Sequence, residues 1–136
     1  MPSRVKIYSD GGARGNPGPA ATGIVIKNDK GKTIESFGQY LGDNVTNNYA
    51  EYSGIISALK RAKKLKATEL DCRLDSKLVV EQLKRNWKIK EPTLQKLFIE
   101  AYNLSEQFQK ITFTHIRREE NKEADAEVNK ILDERR

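Results

Sequence analysis

Four carboxylates in short polar motifs are the residues of this sequence best suited to chemistry. Each lies in its own local pattern: Asp10 in Tyr-Ser-Asp-Gly-Gly, Glu51 in Thr-Asn-Asn-Tyr-Ala-Glu, Asp75 in Leu-Asp-Ser, and Asp125 in Asn-Lys-Glu-Ala-Asp. Hard divalent cations such as Mg²⁺ prefer carboxylate oxygens, and ligands from separate elements can converge on one ion. Paired ions can activate a water and stabilise a leaving oxygen in phosphoryl transfer. The four residues therefore predict a divalent-metal site.

The hydrophobic pattern predicts the elements that must position these carboxylates. Alternating apolar residues predict strands at residues 4–9, 21–27, 33–41, 70–74 and 111–116, and helical spacing predicts helices at residues 46–62, 76–83, 92–108 and 121–134. The order β-β-β-α-β-α-α-β-α predicts one α/β domain over residues 1–136 with a five-stranded mixed sheet. The first three strands should be antiparallel, and the later two should run parallel to the first through right-handed crossovers.

This map places the carboxylates at positions from which they could meet. Asp10 and Asp75 follow the carboxyl ends of the first and fourth strands, where open α/β sheets usually bind their ligands. Glu51 lies in the second turn of the first helix, and Asp125 lies in the first turn of the last. If the first and fourth strands are neighbours, all four side chains face a common hollow.

Composition limits the class of protein and the kind of partner. The net charge of +6 and a pI of about 9.4 favour polyanionic partners, because basic side chains release counterions from phosphates.

The sequence has no apolar run near the ~18 residues of a membrane span and no signal-peptide pattern at its beginning. A single cysteine, Cys72, excludes an internal disulfide. We therefore expect an intracellular, cytoplasmic location.

Taken together, the motifs resemble type 1 ribonuclease H. Asp-Gly-(any three)-Gly-Asn-Pro-Gly, Thr-Asn-Asn-x-x-Glu, Leu-Asp-Ser and Asn-x-x-x-Asp occur in the order of that family, and the similarity covers nearly the whole chain. The resemblance implies a ribonuclease H-like fold. It also implies hydrolysis of the RNA strand of RNA–DNA hybrids, leaving 3′-hydroxyl and 5′-phosphate ends.

The resemblance also implies a role for each carboxylate. Asp10 would bridge two Mg²⁺ ions, for which Mn²⁺ could substitute, and Asp75 would complete the site of the ion that activates water. Glu51 and Asp125 would hold the ion nearer the leaving oxygen, with Glu51 also close to the 2′-hydroxyl beside the scissile phosphate. Clustered carboxylates repel one another unless cations neutralise them, which itself favours a metal site.

Five further residues resemble substrate contacts of the family. Asn16, Asn47 and Asn48 correspond to amides that read the minor groove, where the 2′-hydroxyl distinguishes RNA from DNA. Thr46 corresponds to a residue of the DNA phosphate pocket, and Trp87 to an aromatic of the DNA-strand channel. The expected partner is an RNA–DNA hybrid, with double-stranded RNA as a second candidate. We expect the protein to act as a monomer.

Two departures from the family pattern leave one assignment open. The segment at residues 84–91 is too short for the extended basic protrusion of some members, and the loop before Asp125 contains no glycine. His115 has the spacing of a histidine that assists turnover, but the apolar alternation places it on a packed strand face with Phe113. We therefore predict that Arg118, in the following loop, is the mobile cation near the leaving oxygen, with His115 as the alternative.

Two other functions are compatible with the same fold. A non-catalytic module that binds hybrid or duplex would not need intact carboxylates, which disfavours it. Another nuclease of the superfold, such as a resolvase or an integrase-like core, would not need the amide set of Asn16, Asn47 and Asn48. The hybrid-specific endonuclease accounts for both sets of residues.

Overall fold

The fold is built on one mixed sheet. The structure, a computed structural model, describes residues 3–135, which contain five strands: β1 (Arg4–Ala13), β2 (Gly18–Asn28), β3 (Thr33–Val45), β4 (Glu69–Leu74) and β5 (Lys110–His115). Their order across the sheet is β3-β2-β1-β4-β5. The first three strands pair antiparallel, whereas β4 runs parallel to β1 and β5 parallel to β4. The predicted α/β fold with a five-stranded mixed sheet is confirmed.

The helices pack on the sheet through two separate apolar clusters. They are α1 (Asn47–Lys64), α2 (Lys77–Leu83), α3 (Pro92–Ser105) and α4 (Lys122–Glu134), with a short 3₁₀ helix at Arg118–Glu120. The larger cluster joins α1, α2 and α3 to β1, β2 and β4, and a smaller one around Ala21, Val128 and Leu132 holds α4. Within residues 3–135, no helix is long and apolar enough to cross a membrane.

Strand β1 extends beyond its predicted end. The predicted strand ended at residue 9, before the glycines that follow Asp10, but the antiparallel ladder continues to Ala13, which pairs with Ala20 of β2. Glycine is permissive enough to remain extended when a neighbouring strand supplies hydrogen bonds. Asp10 therefore lies inside the ladder with β2, opposite Gly23, one residue beyond the last pair that β1 makes with β4.

Two glycines, which have no side chain, allow α1 to lie directly against β1 beside Asp10. A Cβ atom on Gly11 would lie 2.2 Å from the backbone carbonyl of Ala50, and a Cβ atom on Gly54 would lie 2.8 Å from the carbonyl oxygen of Asp10. Both distances are far below van der Waals contact, so any side chain at these positions would force the helix away. Because Ala50 precedes Glu51, this approach also sets the position of the Glu51 carboxylate.

A third glycine allows a similarly close helix approach on the opposite face of the sheet. A Cβ atom on Gly23 would lie 2.0 Å from the carbonyl oxygen of Ala124 in α4. Gly23 is the ladder partner of Asp10, and Ala124 precedes Asp125. The two helices that carry Glu51 and Asp125 thus approach the sheet at the point where Asp10 lies.

Adding a methyl group at Gly11 should therefore destabilise the fold. We expect Gly11→Ala to lower the free energy of unfolding by about 3 kcal/mol, because the new Cβ overlaps backbone atoms that cannot rotate away. Chemical denaturation monitored by circular dichroism measures this. Gly12→Ala is the matched control, since its Cβ would lie an ordinary 3.7 Å from Val128. Equal stabilities for the two variants would contradict the close approach.

Candidate metal centre and nucleic-acid cleft

A polar cleft of about 580 Å³ opens where β1, β4, α1 and α4 meet. All four predicted carboxylates line it, together with the β1 end, the starts of α1 and α2, and one face of α4. The other polar side chains of the lining are Arg14, Asn47, Asn48, Ser76, Arg118 and Asn129. Acidic groups thus occupy the cleft, and amides and cations surround them.

Three of the carboxylates form a tight cluster. Oxygen atoms of Asp10, Glu51 and Asp75 all lie within 4.8 Å of one another. Ser9 of β1 pairs with Leu74 of β4, so the next residues of these parallel strands, Asp10 and Asp75, lie side by side. Glu51 joins them from α1, which the glycines hold against β1.

Asp125 lies on the wall of the cleft, outside this three-residue group. It belongs to the first turn of α4, and its carboxylate accepts a hydrogen bond of 3.2 Å from the amide of Asn129 one turn later. The structure therefore brings three of the predicted ligands together and leaves the fourth facing them from another helix.

Burial and mutual repulsion disfavour the charged forms of the cluster. Only 6% of Asp10 is exposed, and this burial, followed by the charge of Asp75, raises the pKa of Asp10 to about 7. The N–H of Gly11 donates to Asp10 at 2.9 Å and offsets part of that rise. Burial is also the main cause that raises the pKa of Glu51 well above its ordinary value, followed by the charges of Asp10 and Asp75.

The donor set suits a hard divalent cation. The cluster offers only carboxylate oxygens, the ligand type preferred by Mg²⁺ and Mn²⁺. Within the described residues, the buried Oε2 atom of Glu51 has no hydrogen-bond partner. A buried carboxylate oxygen without a donor is costly, and a cation would both neutralise the cluster and occupy that oxygen.

Sequence reasoning missed the role of Asn121. This residue is 1% exposed, and its side-chain amide donates at 3.0 Å to the backbone carbonyl of Ser9, next to Asp10. It therefore ties the beginning of α4, and with it Asp125, to the part of β1 that carries Asp10. The Asn-x-x-x-Asp motif contained the signal, but an asparagine before a helix is usually interpreted as a cap. Here Asn121 makes no side-chain cap bond.

Of the predicted amide contacts, Asn47 and Asn48 line the cleft, whereas Asn16 lies outside the lining and is joined to Asn47. Asn16 accepts from the backbone N–H of Asn47 at 3.0 Å, and Asn47 accepts from the N–H of Ala13 at 2.8 Å. These bonds use the side-chain oxygens, so the amide N–H groups remain as donors. Asn48 lines the cleft, whereas Thr46 caps α1 by accepting from the backbone N–H of Tyr49.

Trp87 lies outside the cleft lining, in the segment between α2 and α3. Its side chain is 44% exposed and lies beside Lys77, whose ammonium is 5.9 Å from the ring centroid. The backbone N–H of Trp87 bonds to the carbonyl of Glu81 at 3.3 Å, which holds this short segment against the end of α2. An exposed aromatic beside a cation provides a surface on which a base or sugar can stack.

The structure separates the two candidates for the mobile residue. Arg118 lines the cleft and begins the 3₁₀ helix, rather than lying in an open loop as predicted. His115 is the last residue of β5 and is not among the lining residues. The expectation that His115 is packed was wrong: its side chain is exposed at the last residue of β5, where the pairing with β4 ends.

Comparisons with known proteins identify close relatives. A family model described as Reverse transcriptase-like matches residues 8–131. A bifunctional protein of Mycobacterium tuberculosis is 43% identical over 130 residues, covering 96% of this chain and 36% of that protein. Ribonuclease HI of Halobacterium salinarum is 39% identical over 131 residues, covering 96% of this chain and 65% of that protein. The chain thus spans less than two thirds of the length of either relative.

Solved structures agree over almost the whole described chain. The N-terminal ribonuclease H domain of the M. tuberculosis protein, solved as a fusion with maltose-binding protein, has a TM-score of 0.92 at 43% identity and covers 96% of this chain and 94% of its own. The crystal structure of ribonuclease H1 from H. salinarum has a TM-score of 0.93 at 38% identity, with coverages of 96% and 98%. A ribonuclease H1 from compost, in complex with an RNA/DNA hybrid, has a TM-score of 0.91 at 41% identity, with coverages of 96% and 97%. By fold, motif order and similarity, the chain belongs to the type 1 ribonuclease H family.

Proposed function

We propose that this protein is a metal-dependent endonuclease that hydrolyses the RNA strand of RNA–DNA hybrids to 3′-hydroxyl and 5′-phosphate ends. The observation that carries this proposal is the cluster of Asp10, Glu51 and Asp75, buried in a cleft with amides at its rim. A module that only binds nucleic acid would lose stability through the repulsion within that cluster and would gain no activity from it. The named activity of the H. salinarum relative and the hybrid bound by the compost enzyme support the same substrate class.

In this mechanism the chain's own residues hold the metal and orient the phosphate. Asp10, Glu51, Asp75 and Asp125 would hold two Mg²⁺ ions, or Mn²⁺ in their place. The chemistry that the bound ions supply is activation of water and stabilisation of the leaving oxygen. The sheet and the two helices fix the carboxylates before substrate arrives, so little reorganisation is needed during the reaction. Arg118 lies in the cleft, where its permanent charge would stabilise the departing oxygen.

Substrate selection in this proposal depends on amides and on a basic surface. Asn16, Asn47 and Asn48 would donate to 2′-hydroxyls and base edges, which identifies the RNA strand. Thr46 and Trp87 would contact the DNA strand, and the net charge of +6 would favour the phosphate backbones. Double-stranded RNA also carries 2′-hydroxyls, which makes it a second candidate substrate. We propose further that the protein acts as an intracellular monomer.

Cleavage of labelled duplexes tests the proposal. Wild-type protein is incubated with RNA–DNA hybrid, double-stranded RNA, double-stranded DNA and single strands, with Mg²⁺ or with a chelator. We expect Mg²⁺-dependent cuts within the RNA strand of the hybrid, and almost none with Asp10→Asn, because that carboxylate lies at the centre of the cluster. Tight hybrid binding without cleavage would favour the non-catalytic module. Cleavage of DNA duplex would favour another nuclease of the superfold.

The metal-free protein should lose stability as pH rises. The pKa of Asp10 is raised from 3.8 to about 7 by folding, so its stabilising contribution is complete below about pH 4 and is lost as pH rises through about 7. Glu51 shifts in the same direction. Asp10→Asn should therefore raise the melting temperature in chelator at about pH 8 by roughly 5 °C and flatten its pH dependence.

Thermal melts at several pH values, with and without Mg²⁺, check this expectation. Mg²⁺ should stabilise the wild type and leave Asp10→Asn almost unchanged. Asp29→Asn serves as the control, because Asp29 is exposed and pairs with Arg4 away from the cleft. A wild-type melting temperature that rises from about pH 5 to about pH 8 would count against the repulsive cluster.

Arg118 and His115 can be separated by single-turnover kinetics at saturating enzyme. Arg118→Ala should lower the cleavage rate by roughly tenfold to a thousandfold, the range for loss of one electrostatic donor or less. His115→Ala should change neither rate nor stability strongly, because that side chain is exposed outside the cleft. Arg117→Ala is the matched control, since this neighbour pairs with Glu120 at 3.4 Å. A normal rate for Arg118→Ala beside a large loss for His115→Ala would reverse the assignment.

A further inference from the structure

A row of polar side chains connects Asp125 to the turn between β1 and β2. Asp125, Asn129 and Asp133 are spaced four residues apart on α4, so they share one helix face. The amide nitrogen of Asn129 donates to Asp125 at 3.2 Å. Arg14, in the turn, donates to the side-chain oxygen of Asn129 at 3.4 Å and pairs with Asp133 at 2.8 Å.

Asparagine is chemically matched to the middle of this row. A carboxylate can only accept hydrogen bonds and a guanidinium can only donate them, whereas a side-chain amide does both at once. The two contacts also fix the orientation of Asn129, since its nitrogen must face Asp125 and its oxygen must face Arg14. An aspartate at position 129 would repel Asp125, and an alanine would reach neither partner.

Asp125 is the proposed ligand that most needs external support. Asp10 is held in the β1 ladder and receives the N–H of Gly11, and Glu51 is almost fully buried. Asp125, by contrast, is half-buried on the cleft wall and lies outside the tight cluster. Its side chain can rotate toward solvent unless a neighbouring group restrains it.

We propose that Asn129, oriented by Arg14, is a positioning residue that holds the Asp125 carboxylate ready to bind metal. The inference rests on the proposed function, because it assumes that Asp125 is a ligand. Hydrogen-bonding partners of ligating carboxylates typically contribute strongly to metal affinity. The same contacts connect the turn between β1 and β2, which carries Asn16, to the helix that carries Asp125.

Calorimetric titration of the substrate-free protein with Mg²⁺ tests the proposal. We expect Asn129→Ala to weaken Mg²⁺ binding by about tenfold, and Arg14→Ala to weaken it by a smaller factor. The double variant should match Asn129→Ala alone, since Arg14 acts through Asn129. The Mg²⁺ concentration for half-maximal hybrid cleavage should rise in parallel, while kcat at saturating Mg²⁺ stays near that of the wild type.

The matched control is Asn103→Ala, because Asn103 is an exposed asparagine of α3 and is not among the residues that line the cleft. Alanine raises helix propensity at both positions, so neither variant should have a lower melting temperature than the wild type. A loss of Mg²⁺ affinity that occurs only in Asn129→Ala would therefore not reflect a general loss of stability. Unchanged Mg²⁺ affinity in Asn129→Ala would overturn the proposal. Strictly additive effects of Arg14→Ala and Asn129→Ala would also overturn it.

Asp10→Asn in the same titration distinguishes failure of this inference from failure of the proposed function. If Asp10→Asn abolishes Mg²⁺ binding while Asn129→Ala leaves it intact, only the positioning role fails. If Asp10→Asn also binds Mg²⁺ as the wild type does, the carboxylate cluster is not the metal site and both proposals fail.

Discussion

Electrostatic repulsion within a buried carboxylate cluster is the constraint on which the rest of this structure depends. Asp10, Glu51 and Asp75 place their oxygens within 4.8 Å of one another, and two of them are almost fully buried. In a medium of low polarity, such groups would normally separate or take up protons. The fold must therefore hold them together at a cost to its own stability. Binding of a cation relieves the repulsion, so the same free energy favours binding. Metal affinity and metal-free instability are consequences of the same arrangement.

The rigid surroundings of Asp10 provide the resistance to that repulsion. The strand ladder pairs Asp10 with β2 and its neighbour Ser9 with β4, and Gly11 and Gly23 allow helices to lie close to the sheet on both faces. Since those helices carry Glu51 and Asp125, the same backbone contacts determine where these two carboxylates lie. Asn121 adds a buried hydrogen bond from the start of α4 to β1, so α4 cannot move away from β1 without breaking that bond.

The sequence predicted the architecture well because the relevant signals are local. Alternation and helical spacing identified every strand and every α-helix, and the carboxylate motifs predicted which ends of those elements meet. The missed features all depend on contacts between distant residues. The ladder beyond Asp10 exists because β2 pairs with it, and the bond between Asn121 and Ser9 spans 112 residues of chain. His115 was misjudged because alternation predicts a face but not whether another element covers it.

Three helices begin at the cleft, which affects how it receives its substrate. Asn47 and Asn48 open α1, Ser76 caps α2, and Asp125 lies in the first turn of α4, and all of them line the cleft. Three amino-terminal helix ends, each with the positive pole of its peptide dipole, therefore point toward a site whose side chains are acidic. The backbone thus contributes a positive potential that is independent of pH and needs no lysine or arginine. These helix ends offset part of the negative charge of the carboxylates, so a polyanionic strand entering the cleft meets less repulsion than the side chains alone would cause.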